Sequence, residues 1–514
     1  MRIRRFIFAT VVSFVSLLVG LIALEGALRL KDGYQLFSVN LHLLTPVPVA
    51  APEQVSPASA KWRNTTDAVE YVERLPLAPE AQREWYTLSP AAQEIGPPDA
   101  DLAERERDYN NIQANYEWNR RGVVRALCQN EHRNQAVFNQ FKDVFVFDAM
   151  DGSELPAFRF LQKAKYPTGL RTNTFGYRGP DISLNKPHGT VRIAFVGAST
   201  TIAPHAEAYS YPDLVGFWLN LWARARNRPL TFETINAARE GTNSRTFQAV
   251  VRQELVPLEP DLVVYYEGAN QFWPAEFIPE PLPPRSRISG PPTGVLGSHS
   301  AVARRLERAR YTATLPGSEP AKPPLTVNWP NGLSETDPDL KDPRLPESLR
   351  DILGDLETIR RALQDEGGHL VMSSFSWLVY PGLRLDMHRD AEIHQYLNVT
   401  YWPFSYAHLR RFADFQNRVF RKFVQIHDLD FIDFAAVYPR DPRLFEDAIH
   451  MTRAGIRLQA WIMFNGLLPA VERRVAAGEL PRQDRIPLTV HPAFATARQL
   501  VDVDSIKASC GAPW

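Results

Sequence analysis

Three side chains in this sequence are of the types that acyl transfer requires, and each comes after an apolar run that could be a strand. Ser199 follows Ile193-Ala-Phe-Val196 by way of Gly197-Ala198. A glycine followed by small residues suits a tight strand-to-helix turn that lifts an alcohol off the edge of a sheet. The same residues would also serve as an ordinary helix cap. Asp447 and His450 lie three apart in Leu444-Phe-Glu-Asp-Ala-Ile-His-Met-Thr452. That spacing lets the carboxylate accept from imidazole Nδ1, which fixes the tautomer and leaves Nε2 free as a base. Two further turns supply donors. Gly241, in Ile235-Asn-Ala-Ala-Arg-Glu-Gly-Thr-Asn-Ser244, lets a backbone N–H come close to a ligand. Asn270, in Tyr265-Tyr-Glu-Gly-Ala-Asn-Gln271, can turn a side-chain amide toward the same edge. Taken singly, either piece is what a common turn requires.

The elements that would position these groups alternate along the chain. Strands are expected at Val191–Val196, Leu230–Asn236, Asp261–Tyr266, His369–Ser374 and Leu429–Phe434. Between and after them, helices are expected at Tyr211–Arg226, Ser244–Leu255, Pro346–Asp365, Ala407–His427 and Arg453–Val475. Such alternation predicts one parallel sheet covered by helices on both faces, a three-layer α/β/α fold. Every candidate group then falls at a strand's C-terminal end, where open α/β sheets bind ligands. Two long interruptions follow strand ends. Gln271–Arg344 is proline-rich, with a short helix expected at Ala301–Arg310, and Trp377–Ser405 is an aromatic loop. Connections of that length are usually functional.

Taken together, Gly197-Ala198-Ser199, Gly241, Gly268-Ala269-Asn270 and Asp447-Ala448-Ile449-His450 resemble, in order and context, the four blocks of the SGNH (GDSL) hydrolase superfamily. The resemblance covers about 191–463, and Asn173-Thr-Phe-Gly-Tyr-Arg-Gly-Pro180 looks like the lead-in of membrane-anchored bacterial members. It implies a flavodoxin-like SGNH fold, with Ser199 as nucleophile, His450 as general base and then acid, and Asp447 as its orienter. It also implies an oxyanion hole made by the N–H groups of Ser199 and Gly241 with the Asn270 side chain. Elementary chemistry asks for the same parts: a neutral serine needs an adjacent base, and a tetrahedral intermediate needs fixed donors. Two positions depart from the family pattern. Ala198 stands where the signature has Asp, and Gln271 where an Asp often follows the block-three Asn. The implied activity is hydrolysis of short-chain, especially acetyl, esters on an envelope or secreted glycan, with no cofactor and no metal. The alternatives are an O-acyltransferase acting on polysaccharide, a non-catalytic glycan-binding or assembly module, and a long-chain lipase.

The N-terminus supplies the partner. Arg2, Arg4 and Arg5 precede an uncharged run from Phe6 to Leu24, long enough for a bilayer core. With no A-x-A-like site before Glu25, an uncleaved anchor is expected over a cleaved signal. Positive charge ahead of the run predicts a cytoplasmic N-terminus and a catalytic domain that is periplasmic or extracellular. The resulting organisation is a transmembrane anchor (1–30), a Pro/Ala-rich linker (31–60), an accessory segment (61–185), the hydrolase domain (186–475, with the insertion 271–344) and a tail (476–514). In the accessory segment, helices are expected at Pro79–Glu84 and Ala100–Arg125 and a hairpin at Val144–Phe160. Trp62, Trp85, Tyr109, Tyr116 and Trp118 are candidates to pack it on the main domain. Basic and acidic residues balance at 58 each, which argues against a nucleic-acid partner. The 42 prolines exceed the usual ~5% and fit the long irregular connections. Cys128 and Cys510, the two cysteines, sit in no metal-like cluster. His205, His388, His394 and His408 are expected to be bystanders, mostly solvent-exposed, and the Asn64 and Asn398 sequons chance occurrences.

Overall fold

The computed structural model describes residues 2–31, 61–90, 169–278, 299–314, 325–482 and 486–494, apart from a few positions within these ranges, with scattered residues outside them. The linker at 45–60, the Ala100–Arg125 helix, Tyr109, Tyr116, Trp118, Cys128, His205, His388 and nearly all of the Val144–Phe160 hairpin lie outside the described residues. Cys510 is disulfide-bonded.

Five strands form one parallel sheet: β1 (Thr190–Gly197), β2 (Thr231–Asn236), β3 (Leu262–Tyr266), β4 (His369–Ser373) and β5 (Asp430–Ile432). Their spatial order is β2-β1-β3-β4-β5. This is the order of flavodoxin-like doubly wound folds, whose ligands sit at the β1/β3 switch point. β1 is buried at all eight positions, as a central parallel strand covered on both faces must be. Helices among the described residues include α1 (Arg2–Lys31), α2 (Val69–Arg74), α3 (Ser199–Ile202), α4 (Tyr211–Ala225), α5 (Ser244–Val250), α6 (Ala301–Thr314), α7 (Glu347–Asp365), α8 (Tyr406–His427) and α9 (Arg453–Ala476). α4 packs with α9 on one face of the sheet, and α5 with α7 on the other. Trp218 of α4 and Trp461 of α9 meet edge to face at 5.1 Å.

Among the described residues, expected and observed elements differ at four places. The Pro79–Glu84 helix is replaced by α2 and a 3₁₀ turn at Arg83–Thr87. Pro76 and Pro79 interrupt the backbone, and Arg83 folds back to donate to the carbonyls of Val72 (2.8 Å) and Leu75 (3.2 Å). α5 ends at Val250 and continues as a π-turn over Val251–Leu255, just before Pro257. β5 is only three residues long, because Phe434 opens a short helix, Phe434–Val437. The aromatic loop carries its own helix, Ala391–Gln395, extended by a π-turn over Tyr396–Thr400. His394 on that helix is fully buried rather than exposed, and burial pushes its imidazole down to about 4. Asn398 is buried too and donates to His394 O and Tyr406 Oη, both at 2.9 Å. Its amide is committed inside the protein.

Residues 61–90 belong to the same hydrophobic core as the sheet. Trp218 Nε1 donates to Trp85 O at 2.7 Å, and Arg457 Nε to Tyr86 O at 2.6 Å. α1 is long and apolar enough to cross a bilayer, and Phe14, Leu17 and Ile22 on it are exposed.

Candidate active site

The serine turn is shaped by what it cannot hold. A Cβ on Gly197 would collide with Tyr266 O on β3 and with the Thr201 side chain, so only glycine lets β1 turn this close to its neighbour. Ala198 is wholly buried, and Ser199 opens α3, which leaves its N–H at the helix start. Thr201 Oγ1 donates to Tyr266 O at 3.2 Å, and Asn236 Nδ2 donates to Thr201 O at 3.0 Å. Those two bonds tie α3 to the ends of β3 and β2.

Asp447 and His450 sit on a closed loop between β5 and α9. Phe445 and Met451 form an antiparallel bridge across its neck, and Glu446 N–H donates to His450 O at 2.8 Å. Asp447 Oδ1 accepts from the N–H groups of Ile449 and His450, both at 2.8 Å. Its Oδ2 stands 2.7 Å from His450 Nδ1. On the other side of the ring, Nε2 stands 2.7 Å from Ser199 Oγ. Residues 251 apart in sequence thus form one continuous relay of alcohol, imidazole and carboxylate.

The electrostatics suit a base. Burial alone would depress the His450 imidazole, but the Asp447 hydrogen bond and charge, with the nearby Glu240 and Glu267 carboxylates, hold it above its ordinary value. Burial likewise opposes ionisation of Asp447, yet the imidazole and the two backbone N–H groups pull it below the usual carboxylate range.

Gly241 adopts φ +63°, with open space where a Cβ would stand. Its N–H finds no acceptor among the described residues. Asn270 Nδ2 donates one hydrogen to Thr242 O at 3.2 Å, which leaves its second hydrogen for a ligand. Gln271 joins the same loops: its Nε2 donates to Tyr265 Oη and its Oε1 accepts from Ser244 N–H, both at 2.6 Å. The amide at this position is therefore a loop tie, a task that suits Gln better than Asp because it needs a donor as well as an acceptor.

Three neighbours of the relay had no role assigned from sequence. Glu267, fully buried at the end of β3, accepts from Ala198 N (3.2 Å), Ala269 N (2.6 Å) and Asn270 N (3.0 Å). It binds the serine turn to the asparagine turn, and burial pushes its carboxyl above the ordinary value. Glu240 is also pushed up, to about 7, by burial, against the opposing charges of His450 and Arg178. Arg178, buried in the lead-in, donates from Nη1 to the carbonyls of Ile202 (2.8 Å), Ala203 (3.0 Å) and Pro204 (3.1 Å), and from Nη2 to Glu207 O. It closes the chain leaving α3, where Ala203 is held at φ +65°. The signal that could have found Arg178 is its place in the Gly-Tyr-Arg-Gly lead-in.

No family model and no curated protein matches the chain. Among solved structures, it is similar to an acetyl xylan esterase at 12% identity, over 54% of this chain and all of that one, with a TM-score of 0.31. It is similar to an acetylxylan esterase from Geobacillus stearothermophilus at 14% identity, over 54% and 94% of the two chains, TM-score 0.30. An α/β-hydrolase enzyme from the metagenome of Lake Arreo, Spain, matches at 15% identity over 55% and 95%, TM-score 0.29. The fold is SGNH-hydrolase-like. Its parallel sheet runs in the order β2-β1-β3-β4-β5, and the turns after β1, β2, β3 and β5 meet at one edge.

The aromatic segment reaches this edge. Trp377 and Tyr401 meet edge to face at 5.3 Å, and Tyr396 lies 5.4 Å from Tyr401. Burial raises both phenols, and the charge of Asp447 adds to the effect. His408 is half-buried beside Ser405, whose Oγ accepts from its N–H at 3.1 Å. Neither His394 nor His408 joins the relay.

Proposed function

We propose that this chain is a membrane-anchored serine esterase that works through an acyl-Ser199 intermediate. One observation carries the reading: Ser199 Oγ, His450 and Asp447 stand in line at 2.7 Å and 2.7 Å, the geometry that activates a neutral serine at an adjacent, oriented base. As Oγ attacks the ester carbonyl carbon, His450 Nε2 takes the hydroxyl proton and the carbonyl oxygen becomes an oxyanion. The N–H groups of Ser199 and Gly241 and the second Asn270 hydrogen are the donors for that charge. When the intermediate collapses, the imidazolium returns its proton to the leaving alkoxide and the alcohol departs. Water, deprotonated by the same nitrogen, then releases the acid and restores the serine.

The substrate reading is a short acyl ester, acetyl above all, on an envelope or secreted glycan. Tyr396 and Tyr401 support it, being partly exposed and near enough to the relay for the charge of Asp447 to act on their phenols. α1 serves as the anchor, with Arg2, Arg4 and Arg5 on the cytoplasmic side and the esterase domain on the outer side. A serine-directed fluorophosphonate followed by peptide mapping tests the nucleophile, and hydrolysis of a p-nitrophenyl ester series tests the acyl length. The adduct is expected on Ser199, with turnover highest for acetate and abolished in Ser199→Ala. An adduct at another serine, or activity surviving in that variant, would refute the reading.

A further inference from the structure

The outer end of α1 packs on the start of α6, the helix within the insertion that follows Asn270. Glu25 of α1 takes the place of an N-cap there. Ser300 Oγ donates to its carboxylate at 2.8 Å, as do the N–H groups of Ala301 (2.8 Å) and Val302 (3.0 Å). Arg29, paired with Glu25 at 2.7 Å, reaches on to the His299 carbonyl at 2.5 Å. A carboxylate supplied by another helix thus satisfies the N–H groups that the first turn leaves without partners, at the end where the helix dipole favours negative charge.

This contact sets the depth of α6. The uncharged run Phe6–Leu24 rises about 28 Å as a helix, close to the ~30 Å hydrocarbon core. Glu25 is the first charged residue beyond it, so α6 begins at the level of the headgroups. Its sequence, AVARRLERARYTAT, has four arginines against one glutamate. Val302, Leu306 and Ala309 follow i, i+4, i+7 spacing along one stripe, and Leu306 is 58% exposed. On the helical wheel Arg305 and Arg310 flank that stripe, and both are exposed, as is Arg304. An apolar stripe bordered by arginines is the pattern of a helix lying in the plane of a membrane interface.

We propose that α6 is an interfacial helix whose arginines bind anionic phospholipid headgroups of the outer leaflet. It presses Leu306 into the acyl boundary and holds the insertion beside the active edge at a fixed tilt to the membrane. The proposal rests on the reading of α1 as an uncleaved anchor. Hydrogen exchange of the full chain separates the two, in nanodiscs of pure phosphatidylcholine and of phosphatidylcholine with phosphatidylglycerol. Amides of residues 10–24 are expected to be protected in both. Those of α6 should slow by at least about tenfold in the anionic discs, since each arginine near such a surface gives a roughly fivefold preference. High salt, or the combined Arg304→Gln, Arg305→Gln and Arg310→Gln variant, should remove the difference. Protected 10–24 with α6 indifferent to lipid overturns the headgroup proposal alone, as does α6 protection that is equal in both discs and points to packing on protein. Fast exchange throughout 10–24 overturns the anchor reading and the proposal with it.

Discussion

Asp447→Asn is the substitution that separates orientation of the base from its mere presence. The asparagine oxygen must occupy the place of Oδ1, because two backbone N–H groups face that atom at 2.8 Å each. Turning the amide over would set its NH₂ against both donors, at a cost of about 1–3 kcal/mol for each N–H left unpaired. The NH₂ therefore faces His450 Nδ1, where the carboxylate stood at 2.7 Å. A nitrogen that faces a donor has to accept, so the ring proton moves to Nε2. From there it points at Ser199 Oγ, and the base has no lone pair for the serine proton. A wrong tautomer of this kind costs about 10³- to 10⁴-fold in kcat, or about 4–5.5 kcal/mol of barrier. The loop keeps its two backbone bonds, so the urea midpoint should hardly move. Removing the charge that lifts His450 should also carry the acid limb of the residual activity to lower pH. The assay is hydrolysis of a p-nitrophenyl acetate series in pH, alongside urea unfolding of the same samples. A folded variant that loses less than tenfold would refute the argument that Asp447 fixes the tautomer.

Asn270→Ala removes one donor to the oxyanion and should lower kcat about 10²- to 10³-fold, with KM little changed, as read by steady-state kinetics; a KM effect alone would assign Asn270 to ground-state binding. Gly197→Ala forces a methyl group against the Tyr266 carbonyl and Thr201, so about 1–3 kcal/mol of stability should be lost in urea unfolding, together with most activity. Wild-type stability there would mean that the turn tolerates a side chain. The wild-type rate should rise with pH as His450 loses its proton, with a midpoint above ~6.5, because that imidazole is raised and only its neutral form accepts the serine proton. Glu240→Gln removes one of the carboxylates that raise it, so the midpoint should fall, and an unmoved acid limb would exclude Glu240 from the field at the base.

Much of the sheet was legible because its strands are short continuous apolar runs, such as Ile193–Val196, set between strongly periodic helices such as α7. The positions of Ser199, Gly241, Asn270, Asp447 and His450 at strand ends followed from the same alternation. What escaped was whatever is decided by contacts between distant loops. Glu267 reads as one more polar residue in a turn, and only the fold turns the N–H groups of Ala198, Ala269 and Asn270 toward it. Arg178 is likewise one arginine among many until the carbonyls after α3 converge on it. A histidine bordering a long loop, such as His394, is expected in solvent because connecting segments usually run over the surface. Its loop instead folds a helix of its own and buries that face. The Pro79–Glu84 helix does not form because Pro76 and Pro79 divide the segment into turns whose bonds lead back to Val72 and Leu75 and across to Asn465.

The bridge at Phe445 and Met451 makes the His450–Asp447 loop a prefabricated part. Every bond that aims the ring at its carboxylate is made inside seven residues, whereas the serine is mounted across the sheet on β1. Within the relay, slippage of α9 against the strands would therefore stretch one gap only, that between alcohol and ring, and leave the acid–base couple intact. Such slippage should slow acylation while leaving the titration of the imidazole in place, so substitutions in the α4–α9 packing would scale the rate without reshaping its dependence on pH.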